Sequence, residues 1–221
     1  MAVTRKQIRN PEQTKLRILA AAKIEFAKNG LGGARVDVIA VRAKSNKRMM
    51  YHYFGNKDAL FKLVLEQAYG DFRTAEAALD LDYEEPMAAL KKLVAFNWKY
   101  FLDNPEFITL VNSENLHKAK HIRNSKQMQE MSRNFVGRMQ TLLDRGIKAG
   151  LFRKNLDPVQ MQITVAAIAY HYLTNRYTGA IVFERDLMSA SALKQRLAFN
   201  TETVLRIVCT PETLRKLESE S

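Results

Sequence analysis

The sequence predicts an all-α protein. Apolar residues recur at three- and four-residue spacing in one segment after another, and alternating β-branched runs are absent. Pro, Gly and Asn fall at the ends of these segments and set their boundaries. Asn10-Pro11-Glu12 supplies an N-cap, a proline at the first helical position and an acid for the first turn, so a helix opens there and Gly30 closes it. Within it Ile18, Leu19, Ala22 and Phe26 make one apolar stripe. After LGGAR, a short helix VDVIAVRA spaces Val36, Ile39, Ala40 and Ala43 helically. Asn46 caps a helix through Tyr53, Gly55 stops it, and Asn56 caps a long helix to about residue 79, ended by the acidic DLDYEEP. Further helices are expected at 87–103, from Pro105 to about 118, from about 125 to 149 before Gly150, from Pro158 to about 178, and from about 190 to 208, with ESES frayed.

Charge divides the chain unevenly. Of the net +12, residues 1–64 hold fourteen Lys and Arg against four acids, a net +10, and the remaining 157 residues carry only +2. A basic module joined to a nearly neutral body fits a polyanion-binding protein. The expected division is a basic flexible arm at 1–10, a DNA-binding helix-turn-helix domain at 11–64 and a larger helical domain at 65–221. One cysteine, Cys209, rules out an internal disulfide framework and fits a reducing cytoplasm. MAVTRKQIRNPEQTK has no apolar leader core, and ITVAAIAY is too short to span a bilayer, so no membrane partner is expected. No GxSxG, HExxH, glycine-rich phosphate loop or CxxC is present, so catalysis has no support and no cofactor is expected.

NKRMMYHYFGNKDALF, residues 46–61, concentrates the chemistry. On a helix, Met50 and Phe54 are i, i+4 neighbours on one face, while Arg48, Met49 and His52 share the opposite one and Tyr51 and Tyr53 flank the boundary. A short helix, a tight turn and a second short helix with a basic exposed face make the helix-turn-helix pattern. TKLRILAAAKIEFAKNGLGGARVDVIAVRAKSNKRMMYHYFGNKDALFKLVLE resembles the N-terminal domain of the TetR family of bacterial transcriptional regulators, with YHYFGNKDALF its most diagnostic piece. Two departures stand out: Lys44 and Ser45 replace the family's usual Gly and apolar residue in the turn, and Arg35 stands where a Ser or Thr often caps the second helix.

The resemblance implies base-edge contacts from Lys47, Arg48 and Met49, and phosphate contacts from Tyr51, His52, Tyr53 and Lys57. Arg35 and Asn46, at the starts of the two short helices, complete the expected DNA-binding set. The chemistry agrees: a guanidinium pairs bidentately with guanine and a thioether packs on a thymine methyl. Arg5, Lys6 and Arg9 could reach a minor groove as basic arms do, but a disordered, weakly attracted tail is the expected reading.

A single short helix reads few bases, so a homodimer on two half-sites of a palindromic double-stranded operator is expected. On the last long helix Leu193, Leu197, Thr201, Val204 and Val208 form one stripe, and Ile163, Ala166, Ala167 and Tyr170 make a small apolar surface on the helix before. The resemblance places a four-helix dimer interface there, while the periodicity fits an internal core equally well.

FNWKYF, PEFITLVNSENLH and YHYLTNRY mix rings with polar groups, the composition of a ligand cavity. Trp98, Phe101, Asn112, Asn115, His117, Tyr170, His171 and Asn175 are the candidate effector contacts. By resemblance a small-molecule effector bound there tilts the long linking helix and releases the operator; the latter two segments more distantly resemble the branch containing pyrimidine-catabolism regulators. The alternative is an architectural DNA-binding protein whose C-terminal part only dimerises. Glu114, His117 and His121 fall at i, i+3 and i+7, metal-ligand spacing on one helical face, but Lys118 and Lys120 beside them disfavour a cation.

Overall fold

The computed structural model describes residues 11–219, and among these the chain is helical without a strand. Asn10 and the basic-arm residues Arg5, Lys6 and Arg9 lie outside the described residues. In order the helices are α1 (Pro11–Gly33), α2 (Val36–Arg42), α3 (Lys47–Phe54), α4 (Lys57–Ala77), α5 (Pro86–Asp103), α6 (Pro105–Leu116), α7 (Lys126–Lys148), α8 (Pro158–Thr174), α9 (Arg176–Val182), α10 (Ala190–Val208) and α11 (Pro211–Ser219), with a 3-10 turn at Leu81–Tyr83. α1 breaks at Gly30, whose φ of 64° lies in the left-handed region that glycine enters without strain. α5 and α8 start as their sequence signatures dictate, with Glu85 and Asp157 side chains accepting from first-turn amides ahead of Pro86 and Pro158.

Two compact units emerge. One comprises residues 11–69 with 109–125, the other residues 70–108 with 126–219. Sequence reading ended the first at residue 64 and left 109–125 in the second. Three side chains show why that segment joins the first: Ser113 Oγ accepts from the Leu31 amide at 3.2 Å, Ser125 Oγ donates to Glu66 at 2.5 Å, and Lys120 pairs with Asp58 at 2.9 Å. The first unit's core gathers Ile18, Phe26, Ile39, Met50, Leu60 and Phe61, with Phe26 and Phe61 packed edge to face at 5.0 Å. The second is built from α5, α7, α8 and α10 around Leu90, Leu143, Met161, Val165 and Phe152.

On the last long helix the internal-core reading holds for the C-terminal part of the stripe. Val204 and Val208 are 0% exposed inside the second unit's own core, and Leu193, Leu197 and Thr201 are half-buried. Period alone says that a helix has an apolar face, not what covers it. On α8 and α10 the large apolar residues left open are Phe199, Val159 and Ile163.

Two other helices depart from expectation. Asn175 (φ −97°, ψ 13°) separates α8 from α9, which one helix was expected to span. α11 was missed altogether, although Thr210-Pro211-Glu212 repeats the cap-proline-acid signature of Asn10-Pro11-Glu12.

Candidate nucleic-acid interface and a small cavity

The interface is built on the turn between α2 and α3. The Ala43 amide donates to Ile39, Lys44 to Val41 and Ser45 to Ala40, so the chain reverses tightly within three residues. Lys44 completes it at φ 49°, the conformation that a glycine adopts freely and that costs a residue with a Cβ about 1 kcal/mol. The geometry placed in question by Lys44 and Ser45 is therefore formed. Arg35, at the N-cap of α2, makes no side-chain cap; its guanidinium pairs with Asp37 at 2.8 Å and its amide donates to the buried Glu25 at 3.1 Å. That pairing holds the Asp37 carboxyl below its ordinary range. Glu25, which sequence reading passed over, also receives Asn29 and so ties the end of α1 to the start of α2.

α3 has two faces. Met50 is fully buried and Phe54 nearly so, anchoring the helix. Asn46 Oδ1 accepts from the Met49 amide at 2.9 Å and fixes the N-terminus. The other face presents Lys47, Arg48, Tyr51 and His52 to solvent, with Met49 and Tyr53 half-buried. The Lys47 and Arg48 side chains make no ion pair among the described residues. Tyr53 sits beside His52, with ring centroids 5.2 Å apart, and receives Lys15 over its face at 5.7 Å, so it braces α3 as well as reaching its exposed edge. Lys57 is committed locally: its ammonium donates to the Ala34 carbonyl at 3.1 Å and the Gly32 carbonyl at 3.4 Å, clasping the α1–α2 loop.

The candidate effector residues are divided between the two units. Asn112, Asn115 and His117 belong to the first unit, where Asn115 bonds Val111 and His117 Nδ1 lies 2.7 Å from the Ser113 carbonyl. In the second, Trp98 and Phe101 are core residues packed on Tyr172 and Phe107, Tyr170 donates to the Ile108 carbonyl, and Asn175 folds back on His171 at an exposed helix end. α6 ends at Leu116, and Lys118 and Ala119 turn left-handed, so Glu114, His117 and His121 never share a helical face. Glu114 instead takes His121 Nδ1 at 2.6 Å and the His121 and Ile122 amides, while His121 Nε2 lies 3.6 Å from Asp58. Lys120 pairs with Asp58 at 2.9 Å and holds its carboxyl below the ordinary range.

A cavity of about 90 Å³ lies elsewhere in the second unit, lined by Glu76, Phe135, Arg138, Met139, Leu142 and Gln162, with Asp80 and Asp82 on the same wall. Glu76 is 4% exposed; its Oε2 faces Arg73 at 3.0 Å and Arg138 at 3.6 Å, and its Oε1 is buried without a partner. Desolvation lifts this carboxyl above its ordinary range despite both guanidiniums. Sequence reading missed it because nothing in DFRTAEAALD distinguishes one acid on an amphipathic helix from another.

Two family models match the chain: bacterial regulatory proteins of the tetR family over residues 18–64, and a tetracyclin repressor-like C-terminal domain over residues 86–204. The HTH-type transcriptional repressor NicS of Pseudomonas putida is 39% identical over 195 residues, covering 88% of this chain and 92% of that protein. The HTH-type transcriptional regulator RutR of Escherichia coli is 25% identical over 93% of both chains. Among solved structures, the putative transcriptional regulator SCO4942 from Streptomyces coelicolor superposes with a TM-score of 0.67 at 26% identity, over 88% of this chain and 98% of that one.

Proposed function

The chain belongs to the TetR family of bacterial transcriptional regulators, and from that premise we propose that it is a homodimeric cytoplasmic repressor which leaves a palindromic operator when a small molecule binds its C-terminal unit. It is a DNA-binding regulator and not an enzyme. The observation that carries the operator-reading role is α3: an anchored, capped helix whose open face holds Lys47, Arg48 and Met49. Arg48 and Met49 have base-reading chemistry, while Tyr51, His52 and Tyr53 are placed to position the helix on phosphates. The test is selection of bound DNA fragments. Arg48→Ala is expected to relax base preference at one position of each half-site, and an unchanged preference would reject the assignment.

Phe199 on α10 and Val159 and Ile163 on α8 support the dimer, because large apolar side chains left exposed on these helices suit burial against a second copy. The cavity at Glu76 supports the release step. At about 90 Å³ it is smaller than the roughly 150 Å³ void that admits benzene, so an organic effector binds a form in which its walls have parted. Such a ligand prefers one conformation over the other, the condition for shifting an equilibrium. Metabolite panels read by melting temperature test this. An effector raises Tm and lowers operator affinity together, and Phe135→Trp, which fills the cavity, removes both responses.

A further inference from the structure

The turn residue Lys44 breaks the local rule without local compensation. It holds a left-handed φ of 49° that glycine would hold freely, its side chain is exposed, and it has no ion pair among the described residues. It lies within a run of four cations, Arg42, Lys44, Lys47 and Arg48, with no acid between them. The nearest preceding acid, Asp37, is taken by Arg35 at 2.8 Å, so nothing on α2 neutralises the run. A strained backbone bearing a free cation two residues before the cap of the reading helix suits an anionic partner beside that helix.

We propose that Lys44 is a phosphate-contacting residue, one that gives this repressor a DNA-backbone contact from the turn itself. The inference rests on α3 being the reading helix. A lysine ammonium there neutralises one phosphate per protomer and releases its counterion, tightening binding to any duplex while leaving base preference to α3.

Lys44→Gly tests this because its two effects have opposite signs. The variant is expected to melt higher by roughly 2–4 °C, since the turn loses its strain. On a mixed-sequence 30-base-pair duplex, the slope of log K against log salt is expected to fall by about 0.9 per protomer, about 1.8 for the dimer, which is roughly sixtyfold in affinity at 0.1 M salt relative to 1 M. Lys44→Arg should keep the slope. An unchanged slope in Lys44→Gly, whatever its Tm, overturns the proposal; a lower Tm with an unchanged slope makes Lys44 only a cation at the C-terminus of α2. If the glycine variant melts lower, Lys44→Asn, uncharged and tolerant of the same backbone region, carries the slope measurement. Arg48→Ala is run in parallel, read by base preference. A relaxed preference there beside an intact slope in the Lys44 variants rejects Lys44 alone, while an unchanged preference with intact slopes rejects α3 as the interface.

Discussion

At the scale of single residues, buried acids do the work that the sequence least advertises. Glu25, Glu66, Glu76 and Glu114 are all buried, and each receives donors, from Asn29 and Arg35, from Ser125, from Arg73, and from His121 and Ile122 respectively. Three of them organise the first unit; Glu76 alone keeps an oxygen unpartnered. Because burial holds the Glu76 carboxyl above its ordinary 4.5, the fold favours its protonated form. A group shifted this way contributes stability that is complete below the unfolded value and disappears as pH rises through the folded one. Glu76→Gln cannot titrate. Relative to that variant the wild type should therefore lose urea stability from about pH 4.5 upward, a widening gap in midpoints that would be constant if Glu76 were unperturbed. Lys44 is the opposite case, legible as a departure from pattern but not as a backbone angle, since only coordinates show that the chain kept the turn and accepted the strain.

Among the elements, close approach matters more than propensity. A Cβ on Gly146 of α7 would lie 1.9 Å from the ring of Phe152, which is itself buried and whose backbone forms the isolated bridge to Cys209. Gly146→Ala should cost about 1–3 kcal/mol by overpacking, read as a lower urea midpoint, and Phe152→Leu should recover part of it. A neutral substitution would mean that the ring has room to move. The sequence marked most helix ends because capping residues act locally: Asn46, Gly55 and Gly150 did as their chemistry requires. It failed where tertiary contact decided. The α1–α3 anchors Phe26, Met50 and Phe54 were readable because one face had to be covered by neighbours close in the chain, whereas the coverage of α10 depended on α5 and α8, far away in it. The effector candidates were the least legible for the same reason. Rings mixed with polar groups mark a helix boundary between core and solvent as readily as a cavity wall, and Trp98, Phe101 and Asn175 illustrate both outcomes.

For the whole molecule the decisive quantity is how many copies bind together. Phe199 is 58% exposed, so Phe199→Asp should keep a folded, helical chain whose melting temperature no longer depends on protein concentration, while giving monomers in sedimentation and abolishing operator binding. A surviving dimer would place the partner face elsewhere. The same molecule is also well suited to being watched. Cys209 is the only cysteine, it is buried beside the Met87 sulfur at 3.8 Å, and burial pushes its thiol up, away from the reactive thiolate. A cysteine introduced on the exposed face of α3 or of α10 would be the one thiol that a fluorophore finds, so binding to DNA and pairing of subunits can each be reported by a single dye without removing anything from the native chain.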